Sequence, residues 1–182
     1  MKFQLKDNTW WVTDVEPPNR SAPEAGERPS GNDRNKQLGK SIEVIFAPEG
    51  RDNSPMTDDE ISLVRWFVDN REKVYEAALA AIFSEYPKII DSYCGAIDDL
   101  HQSMPNVKSV EGLSSLINLR SIFIHQISPD GIPYVGFEFD CTWDAEHGLG
   151  VLVHGARIVD IAGADIAFVL WMAEEDAERW LA

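Results

Sequence analysis

The hydrophobic period changes partway along this chain. Between residues 57 and 86 the apolar positions recur at helical spacing: Ile61, Val64, Phe67 and Val68, then Val74, Tyr75, Ala78, Leu79, Ile82, Phe83 and Tyr86. That pattern predicts a long helix with a wide buried stripe. Thr57 with Glu60 forms a capping box, and Asp58 and Asp59 suit the positive end of the helix dipole. Pro87 is expected to interrupt the helix, with a further helical piece from Ile89 to Leu100. From Leu119 the period becomes two. Leu119, Ser121, Phe123, His125 and Ile127 fall on one face of a strand, and Arg120, Ile122, Ile124 and Gln126 on the other. Ser128-Pro129-Asp130-Gly131 is turn chemistry. Further strands follow over Ile132 to Thr142, Gly150 to Val153 and Arg157 to Ile161, with Gly155 at a tight turn. Links this short make neighbouring strands antiparallel.

The rest of the chain completes the pattern. Residues 3–15 read as a strand or hairpin turning at Asp7-Asn8, and residues 41–47 as another strand. Residues 16–40 are rich in Pro and Gly without apolar character, which predicts a long mobile loop. Short helices are expected at residues 109–113 and 172–182. Strands, then helices, then strands again give the α+β class. A chain of 182 residues fits one domain over 1–182, an antiparallel sheet packed against one long and several shorter helices.

Charge narrows the partners. The formal net charge is -15, with 31 acidic against 16 basic residues. Residues 41–182 hold 25 acidic and nine basic groups, so the acidity belongs to the folded body. Nucleic acid and anionic membranes are poor partners for such a surface, because phosphate needs clustered Lys and Arg. A basic protein suits it. Asp98, Asp99, Glu174, Glu175 and Asp176, with Glu178, are local acidic clusters for such a contact, and Trp143, Trp171 or Trp180 could serve as aromatic anchors. The plainer readings are solvated helix faces and core tryptophans. No apolar run reaches the length of a bilayer span, and the first residues lack the hydrophobic core of a signal peptide. A cytoplasmic location is expected. Cys94 and Cys141 lack CxxC spacing and read as buried thiols.

The segment from Phe139 to Gly155 holds the densest chemistry: Asp144, Glu146 and His147 within four residues, then Gly148 and Gly150, with His154 further on. Histidine and carboxylates are sound zinc ligands, and Asp144, Glu146, His147 and His154 form one candidate set, with Asp140 or Asp160 as a further carboxylate. Glu146 and His147 could instead serve as general acid and base. Neither reading has a recognised ligand spacing or an adjacent nucleophile, since alternation points Cys141 into the core. A corner between two strands is favoured, with Asp144 capping amides and the glycines supplying turn geometry. His125, among apolar neighbours, reads as a satisfied core histidine, and His101 as an exposed one. No cofactor motif is present: GxGxxG, a phosphate-binding glycine loop, GxSxG and HExxH are all missing.

Gly136-Phe137-Glu138-Phe139, the string Cys141 to Val151 containing Trp-Asp-x-Glu-His-Gly-Leu-Gly-Val, His154-Gly155 and Val159 to Asp165 together resemble a bacterial family of domains of unknown function. The resemblance covers roughly the last 60 residues well, and the helix and first strands in outline. Such domains are small cytoplasmic proteins, some encoded beside toxin genes. The resemblance therefore implies an immunity protein that neutralises a toxin by direct binding, and it carries over no established reaction. The chain is expected as a monomer or homodimer. The acidic charge agrees independently, since a basic nuclease met by an acidic inhibitor is the arrangement of barnase and barstar.

Overall fold

A computed structural model describes residues 1–6, 10–18, 41–50, 54–93 and 100–181, with the side chains of Leu100, His101 and Leu181 outside the description. Seven strands form one sheet in chain order. They are β1 (Gln4–Lys6), β2 (Trp10–Val15), β3 (Ile42–Phe46), β4 (Ile117–Ile124), β5 (Tyr134–Cys141), β6 (Leu149–His154) and β7 (Arg157–Ala162). Every neighbouring pair is antiparallel except β3 and β4, which run parallel. A parallel pair needs a crossover, and helix α1 (Asp58–Tyr93) lies in that connection. Two short pieces follow it, α2 (Leu100–Ser103) and a 3-10 helix at Val110–Ser115. After β7 come a 3-10 turn at Ala164–Ala167 and helix α3 (Leu170–Leu181). The class is α+β.

Helix α1 starts as its capping box dictates. The Thr57 N–H donates to Glu60 Oε2 at 2.7 Å, and the Glu60 N–H donates to Thr57 Oγ1 at 3.3 Å. The stripe buries Val64, Phe67, Val74, Ala78, Ile82 and Tyr86. The expected break at Pro87 does not occur, because the helix continues through it to Tyr93. A proline inside a helix removes a hydrogen bond and crowds the preceding turn. Here Ile89, Ile90 and Tyr93 pack against the main core and hold the last turns in place.

The sheet is covered on both faces. On one, α1 meets Ile42, Val44 and Phe46, Ile122 and Ile124, Val135, Phe137 and Phe139, and Leu149, Val151 and Val153. On the other, α3 lays Ala173 and Ala177 against Tyr134 and Leu152, and Ala167 meets Val12, Ile45 and Phe123. Simple alternation fails at one place in β4. Leu119 pairs with Phe139, and Ser121 pairs with Glu138, which leaves Arg120 in a bulge. The extra residue reverses the parity of the strand. Ile117 and Leu119 therefore share the α1 face with Ile122 and Ile124.

The turn Asp7-Asn8, most of the loop 16–40, Cys94 and the acidic pair Asp98-Asp99 lie outside the described residues. Among the described residues, no helix is long and apolar enough to cross a membrane.

Candidate functional site

The polar knot is the turn between β5 and β6, and Asp144 organises it. Its Oδ1 accepts the His147 backbone N–H at 2.9 Å and faces His147 Nδ1 at 3.0 Å. Its Oδ2 accepts the Tyr93 hydroxyl at 2.9 Å, which ties the end of α1 to the corner. Its backbone carbonyl accepts the Gly148 N–H at 2.9 Å. The His147 N–H is the main reason the Asp144 carboxyl sits below its ordinary value. Burial opposes that shift, and Tyr93 and the His147 ring add to it. Burial, then the bond to Asp144, pushes the Tyr93 hydroxyl up to about 12. Gly148 takes φ 66°, and a side chain there would meet the Phe139 carbonyl. This is a left-handed corner position that glycine supplies at little cost.

The chemistry available is narrow. Cys141 is buried, and desolvation pushes its thiol up to about 11, so it is no thiolate nucleophile at neutral pH. Its Sγ donates to the Asp144 carbonyl at 3.4 Å. Glu146 is exposed and takes no part in the Asp144 network. The metal set Asp144, Glu146, His147 and His154 does not converge. His154 sits at the far end of β6, five residues past Leu149, roughly 17 Å along an extended strand. Asp140 faces Arg120 at 3.7 Å, and Asp160 accepts the Ile161 N–H at 2.8 Å, so neither completes the set. Among the described residues, no group of three or more His, Cys, Asp and Glu side chains is arranged to hold a metal. A groove of about 390 Å³ between α1 and β7 is lined by Lys88, Ile89, Ile158 and Asp160 among others, and it contains neither histidine nor thiol.

Removing the Tyr93 hydroxyl tests the corner directly. Tyr93→Phe is expected to cost about 1 kcal/mol, the net worth of one partly buried hydrogen bond. For a chain of this size that lowers the thermal midpoint by about 2–4 °C. An unchanged midpoint would mean that α1 and the corner are not coupled through Asp144.

The backbone around the corner is packed unusually closely. A Cβ at Gly136 would lie 1.8 Å from the Ala167 carbonyl oxygen, and one at Gly150 would lie 2.5 Å from that of Gly163. The Ala164 N–H donates to the His147 carbonyl at 3.2 Å. The 3-10 turn therefore lies directly on β5 and β6, where only glycine leaves room. His125 completes the contact. It is buried, with Nε2 at 3.0 Å from the Ala167 carbonyl, so that nitrogen carries the proton. Desolvation depresses its pKa to about 4 and keeps the ring neutral. The core reading of His125 holds.

A second polar cluster lies at the other end of β6. The Tyr134 hydroxyl donates to Asp176 Oδ2 at 2.7 Å. Arg157 forks onto the same carboxylate with both terminal nitrogens, Nη1 at 3.1 Å. Its guanidinium lies 4.9 Å over the Trp180 ring. His154 stacks on Tyr134 at 4.5 Å, and its Nε2 donates to Asp130 at 3.0 Å. The Arg157 fork is the chief reason the Asp176 carboxyl is held down. Burial alone would raise the Asp130 carboxyl, but the Ile132 N–H and the His154 ring outweigh it and hold it low.

Two sequence candidates for a partner surface change place as a result. Trp143 is buried at 6% exposure, against the Tyr86 ring at 5.8 Å, so it cannot anchor a partner. Asp176 is engaged inside the chain and ties α3 to β7. Glu174 and Glu175 are exposed, and so are Trp171 and Trp180, at 60% and 54%. Tyr93, Tyr134 and Arg157 lie in no recognisable sequence motif. The His154–Arg157 pairing could be read from the two-residue turn Gly155-Ala156, but the Tyr134–Asp176 contact spans 42 positions and leaves no local trace.

Comparison with known proteins gives a family match over residues 28–168, described as a domain of unknown function. The match takes in the corner and the 3-10 turn and ends before α3. No curated protein and no solved structure matches the chain.

Proposed function

We propose that this chain, which belongs to the family described as Domain of unknown function (DUF6985), is an acidic binding protein. In this reading it is an immunity-type protein of bacterial origin, which neutralises a cognate basic toxin domain by covering it and performs no reaction of its own. The observation that carries the reading is the charge of the chain beyond residue 40: 25 acidic against nine basic residues over positions 41–182. An acidic surface speeds encounter with a basic partner and holds it in register. The state of the chemical groups also supports it. Asp144 is bonded on both oxygens, Cys141 is a protonated buried thiol, and His125 is neutral and bonded to a carbonyl.

The test is co-expression with the products of neighbouring genes. One of them should be toxic alone, be relieved by this chain and form a complex with it. Raising the salt from low to physiological ionic strength should slow association by about tenfold or more, because screening shortens the reach of exposed charges to roughly 8 Å. Absence of protection by this chain against any toxic neighbour would end the immunity reading. Salt-independent association would remove the electrostatic part of it.

A further inference from the structure

Helix α3 presents two different tryptophan–carboxylate arrangements, and one of them already holds an arginine. On the side facing β7, Asp176 and Trp180 are four residues apart. Arg157 forks onto the carboxylate and stacks over the indole at 4.9 Å. On the outer side, Trp171, Glu174, Glu175 and Glu178 stand at i, i+3, i+4 and i+7, which places them on one stripe of a helix. All four are exposed. The inner stripe, Leu170, Ala173 and Ala177, is buried, which fixes the outer one toward solvent. Glu175 is bridged to Arg179 within the helix. Phe168, three residues before Trp171, is 46% exposed and rests its ring 5.6 Å from Phe123. Asp165 is exposed just ahead of it.

Phe168, Trp171 and Trp180 are, with Met1, the exposed large apolar side chains among the described residues, and two of them lie here, bordered by carboxylates. A bare aromatic edged with acids suits a particular cation. A guanidinium can lie flat on an indole and at the same time fork onto a carboxylate, whereas a lysine ammonium does only one of these well. We infer that the outer stripe of α3, with Phe168 beside it, is the docking surface for an arginine-bearing segment of a protein partner, held between Trp171 and the carboxylates of Glu174 and Glu178. The inference rests on the acidic-binding reading and says where on the molecule that binding occurs.

The test uses octa-arginine and octa-lysine peptides as probes of the full chain, followed by calorimetry at low salt. Octa-arginine should bind more tightly than octa-lysine. Trp171→Ala should weaken octa-arginine by about 3–30-fold, as the loss of a cation–π contact does, and bring the two peptides level. Glu174→Gln with Glu178→Gln should weaken both peptides. A control with the same charge change on exposed positions of α1, Asp69→Asn with Glu76→Gln, should leave the arginine preference intact. These are exposed side chains, so circular dichroism should show all variants folded. If octa-arginine binds but the α1 control weakens it as much as the α3 variants do, the surface is wrong while the acidic-binding reading stands. If neither peptide binds the unaltered chain, both readings fall.

Discussion

Gly136→Ala is expected to be the most damaging small substitution among the described residues. The added methyl would lie 1.8 Å from the Ala167 oxygen, 2.5 Å from its carbonyl carbon and 2.6 Å from its Cα. All three are backbone atoms, so no side chain can rotate away. Gly136 is paired on both sides, with Phe123 in β4 and Leu152 in β6, so the strand cannot retreat either. The 3-10 turn must lift, which strains the His125 bond to Ala167 and opens the seat of Phe168. Overpacking of a core costs about 1–3 kcal/mol and more where nothing can yield. An effect of about 4 kcal/mol would lower the thermal midpoint by about 8–16 °C. Gly131→Ala is the control. Gly131 has φ 79° and open space around its Cβ position, so its cost is the backbone conformation alone, about 1 kcal/mol. Thermal unfolding of the two variants decides the matter. If Gly136→Ala is no worse than Gly131→Ala, the 3-10 turn is not seated on the sheet as described.

The same contact explains what the sequence could reveal about its own motif. The glycines of the Gly-Phe-Glu-Phe and His-Gly-Leu-Gly strings are visible in one dimension, but the atoms they make room for are not. Gly136 and Gly150 accommodate the backbone of residues 163 and 167, which is a tertiary reason. Local features were legible because local physics decides them. The Thr57–Glu60 box, the α1 stripe, the β4–β7 hairpins and the turn at Gly155 all formed where the pattern placed them. Pro87 misled because a proline's local cost was outweighed by the packing of Ile89, Ile90 and Tyr93. The Arg120 bulge misled because one extra residue reverses the parity of everything before it. The plainer reading of Trp143, a core tryptophan, is the one the fold adopts, whereas Asp176 fits neither a partner contact nor a solvated helix face. Tyr86 covers the first and Arg157 binds the second, and neither partner is near in sequence.

Asp176→Ala should be the most destabilising loss of a charged side chain among the described residues. It would leave the Tyr134 hydroxyl, on a buried ring, without its acceptor. It would also leave Arg157 uncompensated beneath Trp180. A fully buried pair broken in this way costs about 3–5 kcal/mol. An exposed pair is worth about 0–1 kcal/mol. The side chains here are 15% exposed for Asp176 and 37% for Arg157, so solvent screens part of the interaction. A loss of about 2–3 kcal/mol follows, or about 4–12 °C in thermal midpoint. The pH dependence separates charge from packing. Arg157, the Tyr134 hydroxyl and His154 all favour the ionised Asp176, and its carboxyl is held below the ordinary 3.8. A depressed carboxyl contributes stability that is present above its unfolded value and is lost as pH falls through the folded one. Asp176→Asn keeps an acceptor for Tyr134 but cannot ionise. The stability gap between the unaltered chain and this variant should be constant from pH 8 to about 5 and close below about 4. The measurement is urea unfolding at each pH. A gap that persists unchanged into acid would assign the effect to shape and hydrogen bonding, and the Arg157 charge would then contribute little to holding α3 on the sheet.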